Sequence, residues 1–149
     1  DGSAYHQLRE GLVIAGRTAL GSIAGERRDA IPPTRRWYVG GGGSVRGFGF
    51  QQVGPRGPDN RPLGGRAFHE LSLEARWRLN ESWGLVPFID AGTLSEGRNP
   101  RFEDYRVGAG LGLRFFSSFG PIRIDVATPL NPRRGDERVA VYVSIGQAF

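Results

Sequence analysis

The chain has 149 residues with 24 Gly, 10 Pro, 38% hydrophobic residues and a net charge of +5, the size of one ordinary domain. It holds no Cys, which excludes disulfides, a thiol nucleophile and a cysteine-ligated metal. Every basic residue is Arg, and the arginines fall singly among Asp and Glu instead of in one patch, which argues against a nucleic-acid partner.

The sequence pattern predicts six amphipathic strand segments and almost no helix. The first runs from Gln7 to Ile23, and a long Gly/Pro-rich connection, Ala24 to Gly65, follows it. The second, Ala67 to Leu79, places His69, Leu71, Leu73, Ala75, Trp77 and Leu79 on one face and Glu70, Ser72, Glu74, Arg76 and Arg78 on the other. The third spans Gly84 to Gly92, where Asp90 interrupts an apolar run. In the fourth, Asp104 to Phe115, the row Tyr105, Val107, Ala109, Leu111, Leu113 and Phe115 alternates with Arg106, three glycines and Arg114. The fifth, Pro121 to Leu130, sets Ile122, Ile124 and Val126 against Arg123 and Asp125. The sixth, Arg138 to Ile145, sets Val139, Val141, Val143 and Ile145 against Ala140, Tyr142 and Ser144.

A soluble sandwich also alternates, with its polar face in water. Here the polar rows combine glycines with charges of both signs, a mixture expected where a barrel interior pairs charges and leaves room for a plug. Trp77, Trp83, Tyr142 and Phe149 lie near strand ends, where interfacial aromatic girdles occur. No apolar run reaches the length of a membrane-spanning helix, but barrel strands need only about 9–11 residues. Connection lengths alternate between long (24–65, then Leu94 to Glu103) and short (Ser82, then Ser117 to Gly120), with a medium one at Asn131 to Asp136. This is the asymmetry of outer-membrane barrels. Six strands cannot close such a barrel, and open edges are intolerable in lipid, so the chain is expected to be part of a larger precursor.

The segment Tyr38 to Gly54, YVGGGGSVRGFGFQQVG, carries the most information. Gly40 to Gly43 lack the Lys and the α/β context of a phosphate-binding loop. A flexible Gly linker would not need Val45, Phe48 and Phe50 around Arg46. Glu74 and Asp90 could form an acid–base pair of the glycosidase kind, yet each has arginine candidates nearby. His6 and His69 are solitary, so the residues suggest neither a catalytic triad nor a metal site, and no cofactor is expected.

Val45-Arg46-Gly47-Phe48 resembles the VRGF/VRGY signature of the sixth extracellular loop of the Omp85 superfamily. Phe88-Ile89-Asp90-Ala91-Gly92 resembles its F-x-D-x-G strand, Gly112 to Phe115 its G-x-R-[FY] strand, and Gly120 to Asp125 its GP-[IV]-R-x-D segment. The resemblance covers about Arg36 to Phe149 and implies an all-β fold. Residues 1–149 would be the C-terminal part of a 16-stranded transmembrane barrel, with the loop at 24–65 folded into the lumen. It further implies that Arg46 pairs with Asp90, with Glu74 in the same cluster, fixing the loop in place. The ending Tyr142, Ile145, Gly146 and Phe149 resembles the β-signal by which assembly machinery captures client barrels.

Within the superfamily the segments look most like the TamA branch. That branch implies non-enzymatic insertion of outer-membrane proteins such as autotransporters at a lateral seam of the barrel. The implied partners are the rest of the barrel, POTRA domains, TamB, client outer-membrane proteins, lipid and lipopolysaccharide, in the bacterial outer membrane. A general barrel-assembly subunit, a secretion translocator and a passive porin-like barrel are the alternatives.

Overall fold

The computed structural model describes residues 1–99 and 104–149. The expected connection Leu94 to Glu103 therefore lies partly outside the described residues. Seven strands form one antiparallel sheet in chain order: β1 (Gly2–Arg9), β2 (Leu12–Ser22), β3 (Ala67–Arg78), β4 (Trp83–Ser95), β5 (Arg106–Ser117), β6 (Gly120–Pro129) and β7 (Ala140–Ile145). The only helical pieces among the described residues are two 3-10 turns, Arg28–Ala30 and Pro33–Arg35. β1 and β7 are the edges of the sheet.

The first segment, expected as one strand, is a hairpin. Arg9 pairs with Leu12 across Glu10 and Gly11, and Gly11 adopts φ 79°, a region an L side chain rarely enters. The turn escaped the sequence reading because β1, GSAYHQLR, mixes small, polar and apolar residues in both of its rows. The other strands match their expected segments to within a few residues.

The two faces of the sheet are inverted relative to a water-soluble protein. Leu71, Leu73, Ile89, Leu111, Leu113, Ile124, Val126, Val141 and Val143 are exposed on one face. Glu74, Asp90, Arg114 and Asp125 are almost completely buried on the other. The cover over the charged face comes from the chain between β2 and β3. Isolated bridges join Trp37 to Gly65, Val39 to Val53 and Arg56 to Pro62, so this connection folds back on itself. Val39, Val45, Phe48 and Val53 from the loop pack with Leu94 of β4, and Phe68 flanks them. A solvated linker would leave those side chains in water; here they form a small apolar core.

Trp77 and Trp83 stand exposed on the apolar face, as a girdle requires. Tyr142 and Phe149 do not. Tyr142 points at the loop, and Phe149 lies against Arg76, whose guanidinium carbon is 4.8 Å from the ring centroid. The chain bends there because Gly146, with φ 98°, ends β7 and carries the last residues across the charged face.

Candidate functional site: an arginine held by three strands

Arg46 sits at the centre of the covered face with 1% of its surface exposed. Asp90 on β4 takes three bonds from it: from Nε at 2.6 Å, from Nη2 at 2.9 Å and from the backbone N–H at 3.0 Å. The third bond fixes the main chain as well as the side chain, which a lone ion pair would not do. Nη1 lies 2.7 Å from Glu74 of β3, an ionic contact, and donates to Asp125 of β6 at 3.1 Å. Ser72 accepts from Nη2 at 3.3 Å and itself donates to Asp90. The guanidinium carbon lies over Phe88, 3.5 Å from the ring centroid. Only a planar fork satisfies carboxylates in several directions and stacks at once, so lysine would not substitute here.

Burial by itself lowers the pKa of Arg46. The hydrogen bond to Asp90 and the charges of Asp90, Glu74 and Asp125 outweigh that and raise it, so the loop carries a fixed cation. The carboxylates have other partners too. Arg76 donates to Glu74 at 2.9 Å, Arg114 to Asp125 at 2.6 Å, and Arg123 lies 3.3 Å from Asp125. Arg17 and Ser44 engage Glu70 at the margin. The charges around Arg46 thus form one network across β3 to β6 instead of a single pair, with the Arg17–Glu70 pair beside it.

Close backbone approach completes the seat. A Cβ on Gly108 of β5 would lie 1.9 Å from the carbonyl oxygen of Arg46. Gly47, at φ 104°, turns the loop directly over Gly108 and Thr128. Gly108 is therefore the space on β5 into which the loop fits, while Gly110 and Gly112 make room for Phe88 and for the Asp125 and Arg114 side chains. Val45 and Phe48 anchor the turn on the apolar side, at 0% and 1% exposure.

Of the residues singled out in the sequence, Val45, Arg46, Gly47, Phe48, Glu74 and Asp90 come together. Those of the expected C-terminal signal separate: Tyr142 faces the loop, Ile145 is exposed on the apolar face, Gly146 is the bend, and Phe149 crosses the charged face. Asp125, Ser72 and Arg114 also join the cluster, though no motif marks them for it. The signal for Asp125 was present, since Arg123 and Asp125 alternate with Ile122, Ile124 and Val126. Its closeness to Arg46 depends on register across three strands. His69 is not isolated: its Nε2 is 2.9 Å from Thr18 Oγ1, and its Nδ1 meets the Tyr105 hydroxyl. Among the described residues no group of His, Asp or Glu is arranged to hold a metal.

Residues 1–149 match the Omp85 superfamily domain. The chain belongs to the Omp85 superfamily. It is 31% identical over 98% of its length to the outer membrane protein assembly factor BamA of Nitratidesulfovibrio vulgaris, of which it covers 19%. It is 33% identical over 72% of its length to the chloroplastic outer envelope protein 39 of Arabidopsis thaliana, covering 28% of it. The crystal structure of BamA from Haemophilus ducreyi lacking POTRA domains 1–3 superposes with a TM-score of 0.71 at 24% identity, over 93% of this chain and 32% of that one. The chain thus spans a fifth to a third of these Omp85 relatives, and its sheet corresponds to a portion of the larger BamA structure.

Proposed function

We propose that residues 1–149 are the C-terminal part of a 16-stranded outer-membrane barrel. In this reading the loop at 24–65 is its lumenal plug, and the barrel assembles other outer-membrane proteins without enzymatic chemistry. The observation that carries it is the loop seated on the charged face by Arg46, in a chain that matches the Omp85 domain from end to end. The protein resides in an outer membrane, in keeping with its superfamily.

The exposed face supports membrane crossing. On β4, Trp83, Leu85, Pro87, Ile89 and Ala91 share a face before Thr93 follows; on β5, Phe115, Leu113, Leu111, Ala109 and Val107 do so before Tyr105. Eight steps of about 3.3 Å between the first and ninth residue extend about 26 Å, or about 20 Å along the membrane normal at a strand tilt of about 40°. That approaches the apolar band of about 25 Å on such barrels. The unsatisfied edges of β1 and β7 require the remaining strands of the parent protein.

Insertion at a lateral seam involving β7, with autotransporters as clients and a TamB-type partner, is the TamA-like form of this proposal. The extended 54–65 connection supports it. The BamA relative favours the second form, a general assembly subunit bearing POTRA domains. In both, β7 and the residues after it, Tyr142 to Phe149, carry the targeting signal, and lipid and lipopolysaccharide surround the exposed face.

The test is reconstitution of the parent protein in lipid vesicles, with rates of client insertion measured for wild type and Arg46→Ala. Loss of insertion on substitution supports a plug-dependent insertase. A large conductance, unchanged by the substitution and without client insertion, replaces this reading with a passive porin.

A further inference from the structure

Tyr142 occupies a place that no targeting signal requires. Its side chain leaves β7 on the covered face, directly opposite Asp125 in the β6–β7 register. The hydroxyl accepts from the Gly47 N–H at 3.1 Å and donates to the Phe48 carbonyl at 2.8 Å. Both backbone groups belong to a buried turn without ladder partners of its own, so one phenol satisfies a donor and an acceptor that water cannot reach. The ring underlies the glycine run as well, because a Cβ on Gly42 would fall 2.9 Å from Tyr142 Cδ1.

The loop's other attachments are distributed over β3 (Glu70, Ser72 and Glu74), β4 (Asp90), β5 (Gly108), β6 (Arg123 and Asp125) and the connection before β7, where Arg133 donates to the Gln52 and Gly54 carbonyls at 2.7 Å each and Arg56 donates to Asp136. The strand contacts among them are charged or polar grips and close backbone approaches. Within this chain β7 pairs with β6 over six residues. Among the described residues, its hydrogen bonds to the loop are the two made by Tyr142.

We propose that Tyr142 is a positioning residue that keys β7 itself to the Val45–Phe48 turn, so that displacement of that turn and displacement of β7 are coupled through its hydroxyl. The proposal deepens the assembly reading by naming the link between plug and edge strand. It gives Tyr142 a role that phenylalanine cannot fill, although phenylalanine would serve a packing or targeting role equally well.

The test uses the full parent protein in lipid vesicles, with spin labels on introduced cysteines. One pair joins Phe50→Cys to Val141→Cys and reports loop to β7. A second joins Phe50→Cys to Ile89→Cys and reports loop to β4. All three sites are exposed. Both pairs are read in an Arg133→Ala background, which removes the separate tie from Gln52 and Gly54 to the connection before β7; there Tyr142→Phe is expected to broaden the distance distribution of the first pair while leaving the second unchanged, because Asp90 still holds Arg46. An unchanged first pair overturns the proposal, and so does equal broadening of both pairs, which would mean general loosening. Gly42→Ala, which displaces the ring and retains the hydroxyl, is expected to shift the first distance; no shift also counts against the key. The distances are read without clients, so a parent protein that inserts nothing defeats the assembly reading and leaves this result standing.

Discussion

The two faces of one sheet bury opposite chemistry. On β5, Leu113 is 39% exposed and the next residue, Arg114, is 1% exposed. In a water-soluble sheet those values would be exchanged. Apolar side chains can remain outward only where the surroundings are apolar too, and a guanidinium can be buried only where carboxylates meet it. The inner face is consequently specified by directed contacts, and the outer face by hydrophobicity alone. Substitutions on the two faces should differ in kind as well as in size.

The largest effect is expected on the inner face. Asp90→Ala removes three bonds from Arg46 and leaves a buried cation held by Glu74 and Asp125, at a cost of about 3–5 kcal/mol. The urea midpoint of the parent protein in detergent, read by heat-modifiable mobility, should fall sharply. Arg46→Ala in the Asp90→Ala background should then add little. Strict additivity of the two would mean that the residues do not act as a pair.

Next comes a charge on the outer face. Leu111 lies in the middle of the apolar row of β5, and Leu111→Arg is expected to destabilise the protein in a bilayer by about 2–4 kcal/mol. If that face met water instead, the substitution would be neutral, and folding into vesicles would be unimpaired. Gly108→Ala tests the steric side of the inner face. Its methyl group would meet the Arg46 carbonyl at 1.9 Å, so the loop must lift, at a cost of about 1–3 kcal/mol. Protease cleavage within the segment around Arg46 should speed up in this variant before global unfolding does.

What the sequence reveals follows the same division. Period-two alternation discloses β3 to β7 and their two faces, because outward rows of Leu, Ile and Val are a local property. The β1–β2 turn was hidden where both rows of β1 were of mixed polarity. The gathering of Arg46, Glu74 and Asp90 was anticipated by likeness of motifs, not by pattern. No periodicity tells which arginine of 20 will be buried. Asp125 and Tyr142 entered the seat through register across neighbouring strands, which is set by pairing over many residues. The long connection carries no periodic signal because its fold rests on a few scattered valines, one phenylalanine and three isolated bridges.

The smallest difference is the most discriminating, because it compares neighbours in sequence. Leu113→Ala trims an exposed side chain that surrounding lipid can replace, so a change of about 0.5 kcal/mol or less is expected. Arg114→Ala, one residue on, deprives Asp125 of its 2.6 Å bond and Gln147 of its 3.2 Å bond. Asp125 would keep Arg46 and Arg123, so the cost is about 1–3 kcal/mol, less than for Asp90→Ala. The order to look for in the unfolding midpoints is therefore Asp90→Ala lowest, then Arg114→Ala, then Leu113→Ala beside wild type. If Leu113→Ala proved the more damaging of the two neighbours, its side would be a packed protein core, and the inversion of the two faces would be wrong.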